Sequence, residues 1–584
     1  VIALAAAAFA AGAIVGAEHS SSSAAPALAA RFAAAWAQGD YTTMYGELAP
    51  ASQRKVTASQ FAQAYQEDLT TATASGERVT GAPRAAAGDM EVVPVRVRTR
   101  LWGTLAESFR LPVVAEPDEG GDRVAWSPSL AFPGLRPGEA LSRRTALPPR
   151  AALEARNGSV LAEGPANVAG QRSSPLGAAA DDVVGEVGSI PASSRQALEA
   201  RGVPGNAIVG VSGLELAEDE SLRGTPGGEL LAGQRVLASV APHAGSTVRT
   251  TISPALQSAA VSALGGQYGG VVALEPASGQ VEAVAGIALE ALQPPGSTFK
   301  MVTVSGVLQA GIATPRSTFA DATEATLDGV ELHNANGEEC GGTLVEAFAV
   351  SCNSVFAPLG VKLGAARLVA MAERFGFNQP PGIAGAAEST LPPAAEIQGE
   401  LAVGSTAIGQ DKVLASPLEM ATVAATIADG GRRPTPSLVF TPGGGSHPAV
   451  RAVSPATART VRGMMIEVVR YGTGTAAAIP GVVVAGKTGT AELGSPSSCS
   501  TSGSEQKPAE GEEHTSKEHP SEASSCAAEQ SNPQNTDAWF AAFAPAEHPK
   551  IVVGVLMVRD GAGGATAAPV ARQVIEAALQ PAES

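Results

Sequence analysis

Three short motifs in the second half of the chain, Ser297-Thr298-Phe299-Lys300, Ser351-Cys352-Asn353 and Lys487-Thr488-Gly489-Thr490, constrain what it can fold into more than any other feature. They stand 54 residues (351 − 297) and 136 residues (487 − 351) apart, yet each supplies part of one chemistry. A serine hydroxyl at its ordinary pKa is a weak nucleophile and needs a neighbouring base, and a lysine serves when burial or nearby cations keep it neutral. A fold that uses all three motifs must bring distant segments to one crevice.

The local contexts favour that use. Pro294-Pro295-Gly296 breaks the chain, and Ser297 then opens a helical run, Met301 to Leu308, that stops near Gly311. A spacing of three puts Ser297 and Lys300 on one helix face. The helix N-terminus favours an alkoxide, and the Ser297 N–H can serve as one oxyanion donor. Ser351-Cys352-Asn353 falls between two apolar runs, Leu344 to Val350 and Val355 to Leu363, and reads as a turn between helices. There Ser351 can relay a proton between Lys300 and a leaving amine, and Asn353 can hold a substrate backbone and the lysine. Val482-Val483-Val484 predicts a strand that continues through Lys487 to Leu493. Lys487, Thr488, Gly489 and Thr490 would line its edge, suited to a peptide that ends in a carboxylate, with the Thr490 N–H as second oxyanion donor. Taken singly, each motif has a plainer reading as a capping serine or a surface lysine.

Gly481 to Thr488 also spells G-x-x-x-x-G-K-T, a formal phosphate-loop match. A phosphate cradle needs a strand, a flexible loop and then a helix. Here Val-Val-Val-Ala occupies the loop, and Gly494-Ser495-Pro496 follows where the helix should begin.

The ordered set S-x-x-K, S-x-N and K-T-G-T resembles the transpeptidase domain of penicillin-binding proteins. Further segments carry the likeness: Gly270 to Pro276, Ala407-Ile408-Gly409-Gln410, Ser416 to Ala421, Gly472-Thr473-Gly474-Thr475-Ala476 and Ala538-Trp539-Phe540. Upstream, Arg150 to Gly158 resembles the arginine-led element that opens the pedestal of class B members, although Ala151 replaces the usual glycine; Val211 to Glu215 with Leu222-Arg223-Gly224 resembles its later part. Phe32-x-x-x-Trp36 followed by Gly39-Asp40-Tyr41 resembles the extra N-terminal domain of the methicillin-resistance-type subgroup.

The resemblance implies a multidomain α+β protein. Its parts would be a membrane anchor or signal segment at 1–20, a cone-shaped α+β domain at 21–140, an extended pedestal or dimerisation domain at 147–242, and a serine β-lactamase/transpeptidase-like domain at 247–584, a central antiparallel sheet covered by helices. It implies a peptidoglycan D,D-transpeptidase whose catalytic groups are Ser297, Lys300, Ser351, Asn353 and Lys487. Thr488, Gly489 and Thr490 would bind substrate, and Ser297 and Thr490 would form the oxyanion hole. Implied partners are stem peptides ending in D-Ala-D-Ala, β-lactams and a separate glycosyltransferase; no cofactor or metal is implied. A carboxypeptidase or β-lactamase using water as acceptor, and a non-catalytic β-lactam sensor or scaffold, are the rival readings. The first predicts fast release of the acyl group; the second would carry several membrane spans.

The remaining features fit this outline. Leu28, Phe32 and Trp36 recur at helical spacing, while Val93, Val95 and Val97 alternate with Arg96, Arg98 and Arg100 as in a half-buried strand. Net charge is −17, from 39 basic and 56 acidic side chains, and no basic aromatic cluster is present, which argues against nucleic acid. Val1 to Ala17 is uncharged and alanine-rich, at the lower edge of what spans a bilayer, and nothing basic precedes it; with the resemblance it places the catalytic domain outside the cytoplasmic membrane. Residues 494–535 are rich in Ser, Glu, Pro and Gly, a low-complexity insertion flanked within by Cys499 and Cys526, which a disulfide can close. His514 and His519 lie there at spacings that fit no standard zinc pattern. Cys352 can pair with Cys340 or stay reduced. The segments 537–544 and 551–558 read as antiparallel neighbours of the third-motif strand, and Ala567 to Leu579 as a final helix over the sheet.

Overall fold

Apolar side chains at helical spacing bury one face of the helix Ala24–Gln38, where Leu28, Phe32 and Trp36 are each at most 1% exposed in the computed structural model. The structure describes residues 24–116, 121–440, 450–493 and 535–580. The expected anchor at 1–20, both flanking cysteines of the insertion, His514 and His519 lie outside them. The described residues form two compact units: one holds the chain up to Pro149 with Ser189–Ile208 and Arg223–Gly245, the other Arg150–Gly188, Val209–Leu222 and everything from Ser246 onward.

In the first unit a five-stranded sheet packs against helices Ala24–Gln38 and Ala58–Thr71. The expected alternation holds on strand Met90–Thr99: Val93, Val95 and Val97 face the core while Arg96 and Arg98 are exposed. Aromatic rings fill the interior. Trp36 meets Phe109 edge-on at 4.9 Å and Phe61 meets Trp126 at 5.3 Å, so the apolar stripes pack as core. Thr57 caps helix Ala58–Thr71 in a reciprocal box with Gln60.

The second unit is built on a five-stranded antiparallel sheet in the order Val281–Gly286, Gly269–Leu274, Ile551–Met557, Thr536–Ala544, Ala485–Glu492. The three middle strands are buried along their whole length, because helices cover both faces. Alternate side chains Val271, Phe540 and Val555 meet helices Pro254–Leu264 and Ala567–Leu579, whereas Val272, Trp539 and Leu556 join the larger core with helices Pro417–Ala428 and Pro455–Arg470. The pedestal signature residues meet here: Glu215, fully buried, accepts from Arg150 Nε (2.6 Å) and Arg172 Nη1 (2.9 Å).

Two expectations need correction. The third-motif strand begins at Ala485, not in Val482-Val483-Val484, because Ile479 to Val482 closes a turn around Gly481 (φ +77°) that consumes the β-branched run and leaves Val483 about half exposed. Among the described residues only Thr536–Ala544 pairs directly with that strand; Ile551–Met557 lies one place further in, between Thr536–Ala544 and Gly269–Leu274. The final helix spans Ala567–Leu579 as expected. Among the described residues no single helix is long and apolar enough to cross a membrane.

Candidate active site

The helix Lys300–Gln309 is preceded by a 3-10 turn, Gly296–Phe299, and runs through the core with Met301, Val302, Val304 and Val307 fully buried. A helix apolar on all sides has to sit inside, so the lysine in its first turn enters the interior with it. Lys300 is fully buried. Its Nζ donates to the backbone oxygen of Ser351 (2.7 Å) and to Asn353 Oδ1 (2.6 Å), and lies 3.4 Å from Ser351 Oγ. Burial, with the charge of Lys487 second, pushes its pKa well below the ordinary lysine value.

Ser297 sits in the preceding turn, half-buried, held from both sides. Gly296 adopts φ +51° and donates its N–H to Gly409 O at 2.9 Å, and Thr298 Oγ1 donates to Pro295 O at 2.6 Å. The third motif needs its glycine for the same approach: a Cβ on Gly489 would stand 2.6 Å from Pro295 O.

Ser351 occupies the turn between helices Leu344–Ala349 and Asn353–Leu363, as the apolar runs predict, with a left-handed backbone (φ +64°) that a non-glycine residue adopts at a cost. Its carbonyl and hydroxyl both face the lysines. Asn353 Nδ2 donates to His333 O (2.9 Å), which aims Oδ1 at Lys300. Cys352, fully buried, forms a disulfide with Cys340 at the start of strand Cys340–Thr343, so the second motif is tied covalently to a neighbouring strand.

Lys487 and Thr488 lie on the strand Ala485–Glu492, which excludes a loop-then-helix phosphate cradle at Gly481 to Thr488. Lys487 is fully buried; its Nζ donates to Ser351 Oγ (2.9 Å) and to Thr488 O (3.0 Å), and burial lowers its pKa to about 7. Each lysine Nζ also faces an aromatic ring, Lys300 that of Phe356 and Lys487 that of Phe348, both at 5.5 Å. Thr490 Oγ1 accepts from the N–H of Gly563 at 3.4 Å. Ser351 thus stands between two lysines, and segments far apart in sequence meet around it.

Three supporting groups were not legible as functional in the sequence: the rings of Phe348 and Phe356, and Gly409. The phenylalanines sit in apolar helical runs and look like ordinary core. Gly409 lies in a segment noted only for its likeness, and a Cβ there would stand 2.1 Å from Gly296 O.

Residues 269–507 match the penicillin binding protein transpeptidase domain, residues 165–236 the penicillin-binding protein dimerisation domain, and residues 24–139 the NTF2-like N-terminal transpeptidase domain. The peptidoglycan D,D-transpeptidase PbpA of Mycolicibacterium smegmatis is 34% identical over 63% of this chain and 80% of its own length. Penicillin-binding protein A from M. tuberculosis, solved as a penicillin G acyl-enzyme complex, is 29% identical with a TM-score of 0.54, covering 74% of this chain and all of that one. A D,D-transpeptidase domain from Eggerthella lenta is also 29% identical, with a TM-score of 0.56, covering 74% of this chain and 98% of that one. With all three motifs gathered around Ser351 and relatives of this kind along most of its length, the chain belongs to the class B penicillin-binding proteins, the peptidoglycan D,D-transpeptidase family, in the subgroup with a methicillin-resistance-type N-terminal domain.

Proposed function

We infer that this chain crosslinks peptidoglycan stem peptides by serine acyl transfer and is trapped by β-lactams at the same serine. The observation that carries the reading is the environment of Lys300. A neutral amine has two N–H groups and one lone pair. The short contacts to Ser351 O and Asn353 Oδ1 account for both N–H groups, Ser351 Oγ stands further off at 3.4 Å, and we assign the lone pair to the proton of Ser297 three residues earlier.

In the first step Ser297 Oγ attacks the carbonyl between two terminal D-alanines while its proton passes to Lys300, and the N–H groups of Ser297 and Thr490 hold the oxyanion. Collapse breaks the peptide bond; the leaving D-alanine amine takes a proton through Ser351, which Lys487 contacts at 2.9 Å. Asn353 orients the peptide, and Lys487, Thr488, Gly489 and Thr490 receive its terminal carboxylate and backbone. An acceptor amine then attacks the ester, gives up a proton to the same relay and frees the Ser297 hydroxyl. A β-lactam follows the first step only, since its leaving amine stays tethered.

The mycobacterial relatives support this reading: one is named a D,D-transpeptidase and the other carries penicillin G on the enzyme. The same reading assigns 1–20 to a membrane anchor or signal segment, 21–140 to the N-terminal domain, 147–242 to the pedestal and 247–584 to an extracytoplasmic transpeptidase domain, with 494–535 as an insertion. In this reading a separate glycosyltransferase is the partner that supplies the glycan strands.

Mass spectrometry of the purified chain with penicillin G, followed over time, tests the proposal. The expected result is a long-lived adduct on Ser297 that Ser297→Ala abolishes. Rapid decay would assign a hydrolase, and no adduct a scaffold.

A further inference from the structure

Thr473 touches the third motif and the helix that leads into the second. It lies in the Gly472-Thr473-Gly474 turn after helix Pro455–Arg470. Its backbone N–H donates to the carbonyl of Ala349 (3.1 Å), the last residue of the helix that leads to Ser351. Its hydroxyl shares a 2.5 Å hydrogen bond with the hydroxyl of Thr488 and lies 3.5 Å from that same Ala349 carbonyl. Close backbone approaches hold the turn in place: a Cβ on Gly472 would stand 2.1 Å from Ala349 O, and one on Gly564 2.2 Å from Thr473 O.

The short bond raises a question of proton order. A threonine hydroxyl has one proton to give and two lone pairs to accept with. If Thr488 donates to Thr473, its proton is spent and only lone pairs face an incoming anion, which repels them. If Thr473 donates to Thr488, the Thr488 proton is free to point at a carboxylate, and the relay polarises it further. The alternative acceptor for Thr473, the Ala349 carbonyl, already holds the Thr473 N–H and is much more distant than Thr488. Thr488 is only 5% exposed, so water has little access to take the place of Thr473, which stands exposed at the rim.

We propose that Thr473 is a positioning residue for carboxylate recognition: it donates its hydroxyl proton to Thr488 Oγ1 and thereby commits the Thr488 proton to the terminal carboxylate of the peptide or β-lactam. Thr473 acts through Thr488 rather than on the ligand. This rests on the reading that Thr488 receives that carboxylate.

The test compares acylation of the full chain by penicillin G and by its methyl ester, which lacks the charged acceptor. Thr473→Val, which keeps the shape and removes the donor that orients and polarises Thr488, should lower the second-order rate constant with penicillin G by about fivefold and that with the ester by less than about twofold, the size expected for losing one hydrogen bond between neutral groups. Thr473→Ser should restore both to within about twofold. An equal loss on both compounds, whether from misfolding or from displacement of Ser297, overturns the proposal, and so does no loss on either. Thr488→Val separates the two levels. If it too fails to discriminate acid from ester, the carboxylate reading of Thr488 falls; if it discriminates and Thr473→Val does not, only the role of Thr473 falls.

Discussion

The interior of the N-terminal module and the interior beneath the three motifs are both closed to water, yet they hold opposite chemistry. The first is packed with Phe32, Trp36, Phe61, Tyr65 and Phe109, all at most 1% exposed. The second encloses the side-chain nitrogens of two lysines at 0% exposure, each with hydrogen-bond acceptors and a ring face but, among the described residues, no carboxylate among its side-chain contacts. Burying an aromatic ring stabilises a fold, whereas burying an ammonium costs free energy that a neutral form relieves. The module's core is therefore there to make a stable body, and the lysines are tolerated for their chemistry at the expense of stability.

The largest test of that contrast is Lys300→Met. It should reduce acylation of Ser297 by penicillin by about a thousandfold, within the range of a lost general base, while thermal unfolding stays unchanged or shifts upward. A variant that loses acylation because it unfolds would show that Lys300 supports the structure. Phe61→Ala should do the reverse in the other unit: urea unfolding of the module weakened by about 3–5 kcal/mol, with the labelling rate at Ser297 kept. Loss of labelling in parallel would break the separation of roles.

The pH dependence sharpens the comparison further. Lys487 has a pKa of about 7 in the fold against the ordinary 10.5. Between those values the unfolded chain binds more protons than the folded one, so stability rises with pH from about 7 to about 10 and is flat below. Urea titrations at both ends of that window should show a larger gain for the wild type than for Lys487→Met; equal gains would mean that the lysine is not desolvated. The smallest effect is Thr57→Ala, which removes the cap of helix Ala58–Thr71 and should lower the module's stability by about 1 kcal/mol, read in the same unfolding curve.

Much of this architecture was legible in local patterns. Helix spacing at Leu28, Phe32 and Trp36, alternation at Val93, Val95 and Val97, and the helix Ala567–Leu579 all rest on periodicities that a single element expresses by itself. Val482 to Val484 misled because β-branched residues also suit the flanks of a tight turn, and the glycine at 481 decided in favour of the turn. The strand order was hidden for another reason: antiparallel partners are chosen by burial on both faces, and Thr536–Ala544 and Ile551–Met557 are equally buried. The pairing of Cys340 with Cys352 was likewise open, since two thiols 12 residues apart meet only if the turn brings them together.

What the residues alone determined is the inventory: a serine and lysine three apart, a second hydroxyl with an amide, and a lysine among threonines and glycine, in a fixed order along the chain. Local spacing sufficed for that, because S-x-x-K is a property of one helical turn. Only the tertiary structure decided that Lys300 and Lys487 lose their water, that Ser351 is held in a left-handed turn between them, and that Thr473 reaches Thr488. Those outcomes depend on which buried surfaces close over which side chains, a choice made by packing between segments 15 to 136 residues apart.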